Sequence, residues 1–214
     1  MTEFSKTALY DDWPGQPPLV QRAAALARET GFISSCFPQH GELLRVLARG
    51  RAGGVIGETG TGCGVGLAWM ASAAGPDTRL VSVEIDAARA AACQKLFADL
   101  SNVTVLYGDW RQIEAYGPFD LLVLDGGGGG KRAGDQPADP ALLLKPGGTV
   151  VLDDLYPALE YWPEEMGPGD QYGRSVTEAR AYWLQHPELF VTEIRIEPRV
   201  GTILGTRKAR RPEA

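Results

Sequence analysis

"VIGETGTGCGVG", Val55 to Gly66, is the stretch on which the reading of this 214-residue chain turns. A short apolar run breaks into alternating glycines, as where a strand of an α/β sheet ends against a nucleotide-type ligand. Three ligand readings compete for it. A phosphate-binding P-loop needs a lysine after its last glycine, and none follows here. The dinucleotide fingerprint G-x-G-x-x-G puts its third glycine on Val65 when counted from Gly60, and on Leu67 when counted from Gly62. Both registers miss. What fits is an acid followed by alternating glycines: Glu58, Gly60, Gly62 and Gly64, with Thr61 inside the turn. Glycine removes the side chain where backbone and ligand meet closely. A carboxylate at the strand end repels phosphate and suits a ligand that carries positive charge.

Outward from that stretch the chain alternates strands and helices. "RLVSVE", "VTVLYG", "FDLLVLD" and "PGGTVVLDD" read as strands, and the unbroken apolar run in the third is that of a buried parallel strand. "GLAWMASAA" and "DAARAAACQKLFADL" read as helices, the second with Asp86 as N-cap. Two helices precede the first strand, "LVQRAAALARET" stopped by Gly31 and "HGELLRVLARG" stopped by Gly50. "SVTEARAYWLQH" is a late helix, and "LFVTEIRIE" and "VGTILGTRK" form a closing hairpin. These units predict a Rossmann-like, doubly wound, mostly parallel seven-stranded sheet. It has an antiparallel C-terminal strand and helices on both faces. The expected organisation is one domain over residues 1–214: a loose arm to residue 18, helices over 19–50 and the core over 53–208.

Two further strand ends carry chemistry. Glu84 closes the second strand, where an acid accepts from ribose hydroxyls in dinucleotide folds, and Ile85 follows it. Asp86 serves as the cap, which leaves Glu84 available. "YGDW" closes the third strand. Asp109 is placed to accept from an adenine amino group and Trp110 to cover the ring. Helix capping for Asp109 and plain packing for Trp110 are the bland alternatives.

In this order, one motif per strand, the chain resembles the class I methyltransferases that use S-adenosylmethionine. "SSCFPQHGELLRVL", "GETGTGCG", "SVEID", "YGDW", "FDLLVLD", "LLLKPGGTVVLDD" and "VGTILGTRK" look like the catechol and caffeoyl-CoA O-methyltransferase family, over about Gly31 to Lys208. The resemblance implies S-adenosylmethionine held by Glu58, Gly60, Thr61, Gly62, Gly64, Glu84, Ile85, Asp109, Trp110 and Asp125. It implies catalysis at Asp125 on a small hydroxyl acceptor, such as an aromatic one. It also implies a divalent cation, usually magnesium, on Asp125, Asp153 and Asp154. Two departures stand out. Asp154 replaces the family's Asn, and the basic residue expected about three positions after Asp125 is absent from "DGGGGGKR". Lys131 lies farther along and reads as a solvated loop lysine. The glycines Gly126 to Gly130 read equally as a lid or as a permissive loop. Tyr156, Tyr161, Trp162 and Tyr172 offer an aromatic acceptor wall or a surface flap. His40 reads as a capping or surface residue, with lining of the cofactor mouth from the "FPQHG" turn as the alternative, and His186 sits at a helix end.

Composition narrows the classes. With 44% hydrophobic residues a full core is affordable, and a net charge of −6 gives a nucleic-acid partner no support. The basic run "RKARRPEA" reads as a solvated C-terminus. Three scattered cysteines, Cys36, Cys63 and Cys93, make neither a disulfide framework nor a zinc site. With no signal core and no apolar run of about 18 residues, the expectation is a soluble cytoplasmic protein. For the N-terminal helices, a cover over the cofactor and a contact between two copies of the chain stay open. A metal-independent methyltransferase of another acceptor such as tRNA, or a non-catalytic cofactor-binding protein, are the alternatives.

Overall fold

The computed structural model describes residues 5–131, 134–155, 171–197 and 200–209; the side chains of Asp154, residues 171–176 and Glu197 lie outside that description. Helices α1 (Pro18–Glu29) and α2 (Pro38–Arg49) come first, each started by a proline in its first turn. Then follow β1 (Val55–Thr59), α3 (Val65–Ala71), β2 (Arg79–Glu84), α4 (Ala87–Leu96) and β3 (Val103–Tyr107). A 3-10 helix (Trp110–Tyr116) leads to β4 (Phe119–Leu124), α5 (Pro140–Leu143) and β5 (Leu144–Leu155). The chain closes with α6 (Gln171–Leu184), β6 (Leu189–Glu197) and β7 (Val200–Arg207).

The seven strands run in the order β3-β2-β1-β4-β5-β7-β6. β1 to β5 pair in parallel, and β7 is antiparallel to both β5 and β6. The predicted sheet, with one antiparallel strand at the C-terminus, is borne out. Strand alternation splits the core between the faces. Leu121 and Val123 of β4 join the cluster under α1 to α4, while Leu122 and Leu124 join the cluster under the 3-10 helix, α5 and α6. The order reverses between β1 and β4, so the C-terminal ends of β1, β2 and β4 open on one crevice.

Two differences from the sequence reading have clear physical causes. The segment read as a loose arm carries a 3-10 turn (Thr7–Tyr10), and Tyr10 is only 2% exposed. Its hydroxyl donates to the Cys36 carbonyl at 2.9 Å and accepts from Trp69 Nε1 at 3.2 Å. One buried aromatic is enough to anchor a polar arm, and local periodicity does not report it. Helix α6 begins at Gln171, four residues before the expected start of "SVTEARAYWLQH".

Candidate active site

The ends of β1 to β4 meet at a cavity of about 670 Å³. Nine of the ten expected cofactor contacts line it, eight of them at the ends of the first three strands: Glu58, Gly60, Thr61 and Gly62 at the end of β1, Glu84 and Ile85 at the end of β2, Asp109 and Trp110 after β3. Asp125 after β4 lines it as well. Gly64 is outside the wall. It sits at φ +84° as the N-cap of α3, and a Cβ there would meet the Phe97 ring at 2.8 Å. Its task is the turn itself.

The glycine turn is folded away from phosphate chemistry. The amides of Gly60 and Thr61 both donate to the Val83 carbonyl, at 2.8 and 3.2 Å. The Gly62 amide donates to Glu84 Oε2 at 2.7 Å, and the Gly64 amide to the Thr61 carbonyl at 2.8 Å. A phosphate cradle aims such amides at the ligand; here they are spent inside the protein. Gly60 also differs from its expected role. At φ +84°, a Cβ there would fall 2.5 Å from the Gly126 amide. The close approach that demands glycine is that of the β4 loop, across the turn.

The acids have distinct surroundings. Glu58 is 2% exposed and accepts from Ser82 Oγ at 2.5 Å. Burial, with Asp125 and Glu84 nearby, pushes its carboxyl up to about 8, while the Ser82 bond works the other way. Glu84 is less available than expected: besides Gly62 it accepts from the Asp86 amide at 2.9 Å and from Arg89 at 2.9 Å. Arg89, which the sequence reading passed over, lines the cavity and lies over the Phe32 ring. Its signal was its place one turn into α4, opposite Glu84. Asp109 caps the 3-10 helix by accepting from the Arg111 amide at 3.0 Å, and it borders the cavity too. Ile85 is exposed at the cavity edge.

The Gly126–Gly130 loop packs against its neighbours. Thr59 Oγ1 donates to the Gly127 carbonyl at 2.7 Å, and Trp183 Nε1 to the Gly129 carbonyl at 2.9 Å. A Cβ at Gly127 would stand 2.3 Å from the Trp110 ring. The glycines let this segment pack flush under Trp110. Lys131, read as solvated, is buried, and its ammonium donates to the main-chain carbonyls of Asp153 at 2.7 Å and Asp125 at 3.2 Å. His40, read as a surface residue, is buried in the first turn of α2, with Nδ1 3.5 Å from Asp153 Oδ1. Asp153 is 1% exposed, and Thr202 Oγ1 donates to its Oδ1 at 3.3 Å. Among the described residues, no three Asp, Glu, His or Cys side chains group in a way that would hold an ion. The Asp154 side chain, with Tyr156, Tyr161, Trp162 and the Tyr172 side chain, lies outside the described residues.

This strand order and this acid-then-glycine turn are those of the fold that the motifs implied. Residues 58–155 match the family model described as "Methyltransferase domain". A Mycobacteroides abscessus relative, whose name assigns it provisionally to the O-methyltransferases, is 33% identical over 125 residues, covering 54% of this chain and 56% of the relative. The chain thus spans about half the length of that relative. Among solved structures, the O-methyltransferase of Bacillus cereus in complex with S-adenosylhomocysteine superposes with a TM-score of 0.74 at 19% identity, over 96% of this chain and 98% of that one. TomG of Streptomyces achromogenes, an O-methyltransferase in complex with S-adenosylmethionine, gives 0.72 at 21% identity, over 96% and 97%. At such identities the likeness is one of fold. No described helix is long and apolar enough to cross a membrane.

Proposed function

We propose that the chain is an enzyme that transfers the methyl group of S-adenosylmethionine to a hydroxyl oxygen of a small acceptor. The observation that carries this is the cavity floor. Glu58 and Glu84 face a space from which the glycine amides are turned away, so the site favours a cationic ligand over a phosphate. The names of the three similar proteins given above, each an O-methyltransferase, support oxygen as the acceptor atom.

When bound, the cofactor supplies a methyl group on an electron-poor sulfonium. Glu58 faces the positive end of the ligand, and Ile85, Asp109 and Trp110 are the adenosine wall. Asp125, partly buried in the same cavity, accepts from the acceptor hydroxyl and aims its oxygen. The aromatic character of the acceptor rests on the sequence of residues 156–172.

A divalent cation would be held by Asp125, Asp153 and Asp154. The described donors do not fit it. Asp153 is buried behind the cavity with Thr202 and His40 against its carboxylate, and the Lys131 ammonium already bridges the strand ends that carry Asp125 and Asp153. We therefore derive no step through a metal. Isothermal titration with S-adenosylmethionine, then a methyl-transfer assay over a panel of catechols and other hydroxyl compounds, tests the reading. Asp125→Asn is expected to lower kcat by ~10²–10⁴-fold, the usual share of a positioned proton acceptor, and a chelator to leave the rate unchanged. Full activity in Asp125→Asn would remove Asp125 from the reaction, and loss of activity with chelator would restore the metal.

A further inference from the structure

Glu58 sits at the end of a short buried relay. Its Oε2 meets Ser82 Oγ at 2.5 Å, and Ser82 Oγ meets Thr61 Oγ1 at 2.6 Å. All three side chains are nearly inaccessible, yet Glu58 and Thr61 line the cavity. Two hydroxyls in series can be satisfied in two directions. An ionised Glu58 accepts from Ser82, which accepts from Thr61. A protonated Glu58 donates to Ser82, which donates to Thr61, whose own O–H then turns to the cavity that Thr61 lines. Neither direction strands a buried polar atom, so this carboxyl changes charge without repacking.

The surroundings favour the protonated form in the free protein. Burial acts first. Asp125 from the end of β4 and Glu84 from the end of β2 add negative charge, against the opposing Ser82 bond. Two thiols also stand near. Burial raises both Cys36, from the loop before α2, and Cys93, from α4, the latter to about 12, so both stay neutral. The nearest guanidinium, Arg89, is paired with Glu84 at 2.9 Å. The Lys131 ammonium points to main-chain carbonyls at the ends of β4 and β5. Arg111, also on the cavity wall, is paired with Asp109 at 3.0 Å, so among the described residues no cation pairs with Glu58, and the ligand of the proposed reaction brings one.

We infer that Glu58, which faces the cationic end of S-adenosylmethionine in the reading above, releases its proton to solvent when that cation binds. The inference rests on the methyltransferase reading above. The cation is the sulfonium or the α-ammonium, and three ligands separate them. S-adenosylmethionine carries both, S-adenosylhomocysteine only the ammonium, and methylthioadenosine neither.

The test is isothermal titration near neutral pH in two buffers of different ionisation heat, which counts protons exchanged on binding. The ligand's α-ammonium itself titrates at about pH 8, so the count is the difference between wild type and Glu58→Gln. The expected difference is close to one proton released with S-adenosylmethionine and none with methylthioadenosine. Release with S-adenosylhomocysteine as well assigns the ammonium, and release with S-adenosylmethionine alone assigns the sulfonium. Relative to Glu58→Gln, wild-type affinity should rise ~10-fold per pH unit below about pH 8. Ser82→Ala keeps the carboxyl but removes a bond that favours its charged form, so its window should move to higher pH; it also serves should Glu58→Gln fail to fold. Equal proton counts in wild type and Glu58→Gln, or an unmoved window in Ser82→Ala, overturn the inference. If wild type binds neither S-adenosylmethionine nor S-adenosylhomocysteine, the methyltransferase reading falls, and the inference with it.

Discussion

At position 58 a single carboxyl couples the free protein to pH. Its unfolded value is the ordinary 4.5 and its folded value about 8. Between these the folded state holds a proton that the unfolded state has lost, so stability falls as pH rises through that window. This is the reverse of a salt-bridged carboxylate. Glu58→Gln has no proton to lose, so its unfolding temperature is expected to change less between about pH 5 and pH 8. Thermal melts of both proteins without ligand check this; parallel slopes would mean that the shift is not at Glu58. Lys131 shows the same dependence on surroundings. Nothing in "GGGGGKR" distinguishes a solvated lysine from one whose ammonium joins two strand ends.

Among the elements, glycine does several different jobs. In the turn after β1, Gly60 makes room for the backbone of Gly126. In α2, Gly41 makes room for α3: a Cβ there would stand 2.2 Å from the Trp69 ring, which is 1% exposed and bonded to Tyr10. A rigid, buried indole cannot yield cheaply. Gly41→Ala adds helix propensity locally, but the overlap should dominate, at ~1–3 kcal/mol. For a chain of this size that is a fall in Tm of ~2–12 °C, measurable by calorimetry. An unchanged or higher Tm would show that α2 and α3 separate without cost.

Over the whole molecule, the sheet order brings four strand ends to one cavity, and the ordered N-terminal segment reaches its wall. Phe32, Ser35 and Cys36 line the cavity beside Glu58, while Tyr10 and Thr7 hold that segment down. A ligand there binds a surface that exists only when β1, β2, β3, β4 and the N-terminal segment are assembled together. Its binding energy therefore adds to the stability of the domain. With S-adenosylhomocysteine at about 100 times its Kd, the expected gain is ~2.7 kcal/mol, or ~5–11 °C in Tm. A thermal-shift titration reads this directly, and no shift at saturation would count against the cavity as the binding site.

The sequence by itself determined the fold class. The register of Glu58 and its glycines, an acid closing β2, "GDW" after β3 and the apolar run of β4 are local patterns, each set by a backbone period or a turn requirement. They were sufficient to place Asp125 and eight cofactor candidates at one cavity. Tertiary structure alone decided what those residues are free to do. Glu84 is occupied by Arg89 and the Gly62 amide, Gly60 answers to Gly126, Lys131 is drawn inside, and Glu58 is joined to Ser82 and Thr61. The reason is physical. Hydrogen bonding and desolvation depend on which strand ends are neighbours in space, and pairing β1 with both β2 and β4 sets residues far apart in the chain face to face.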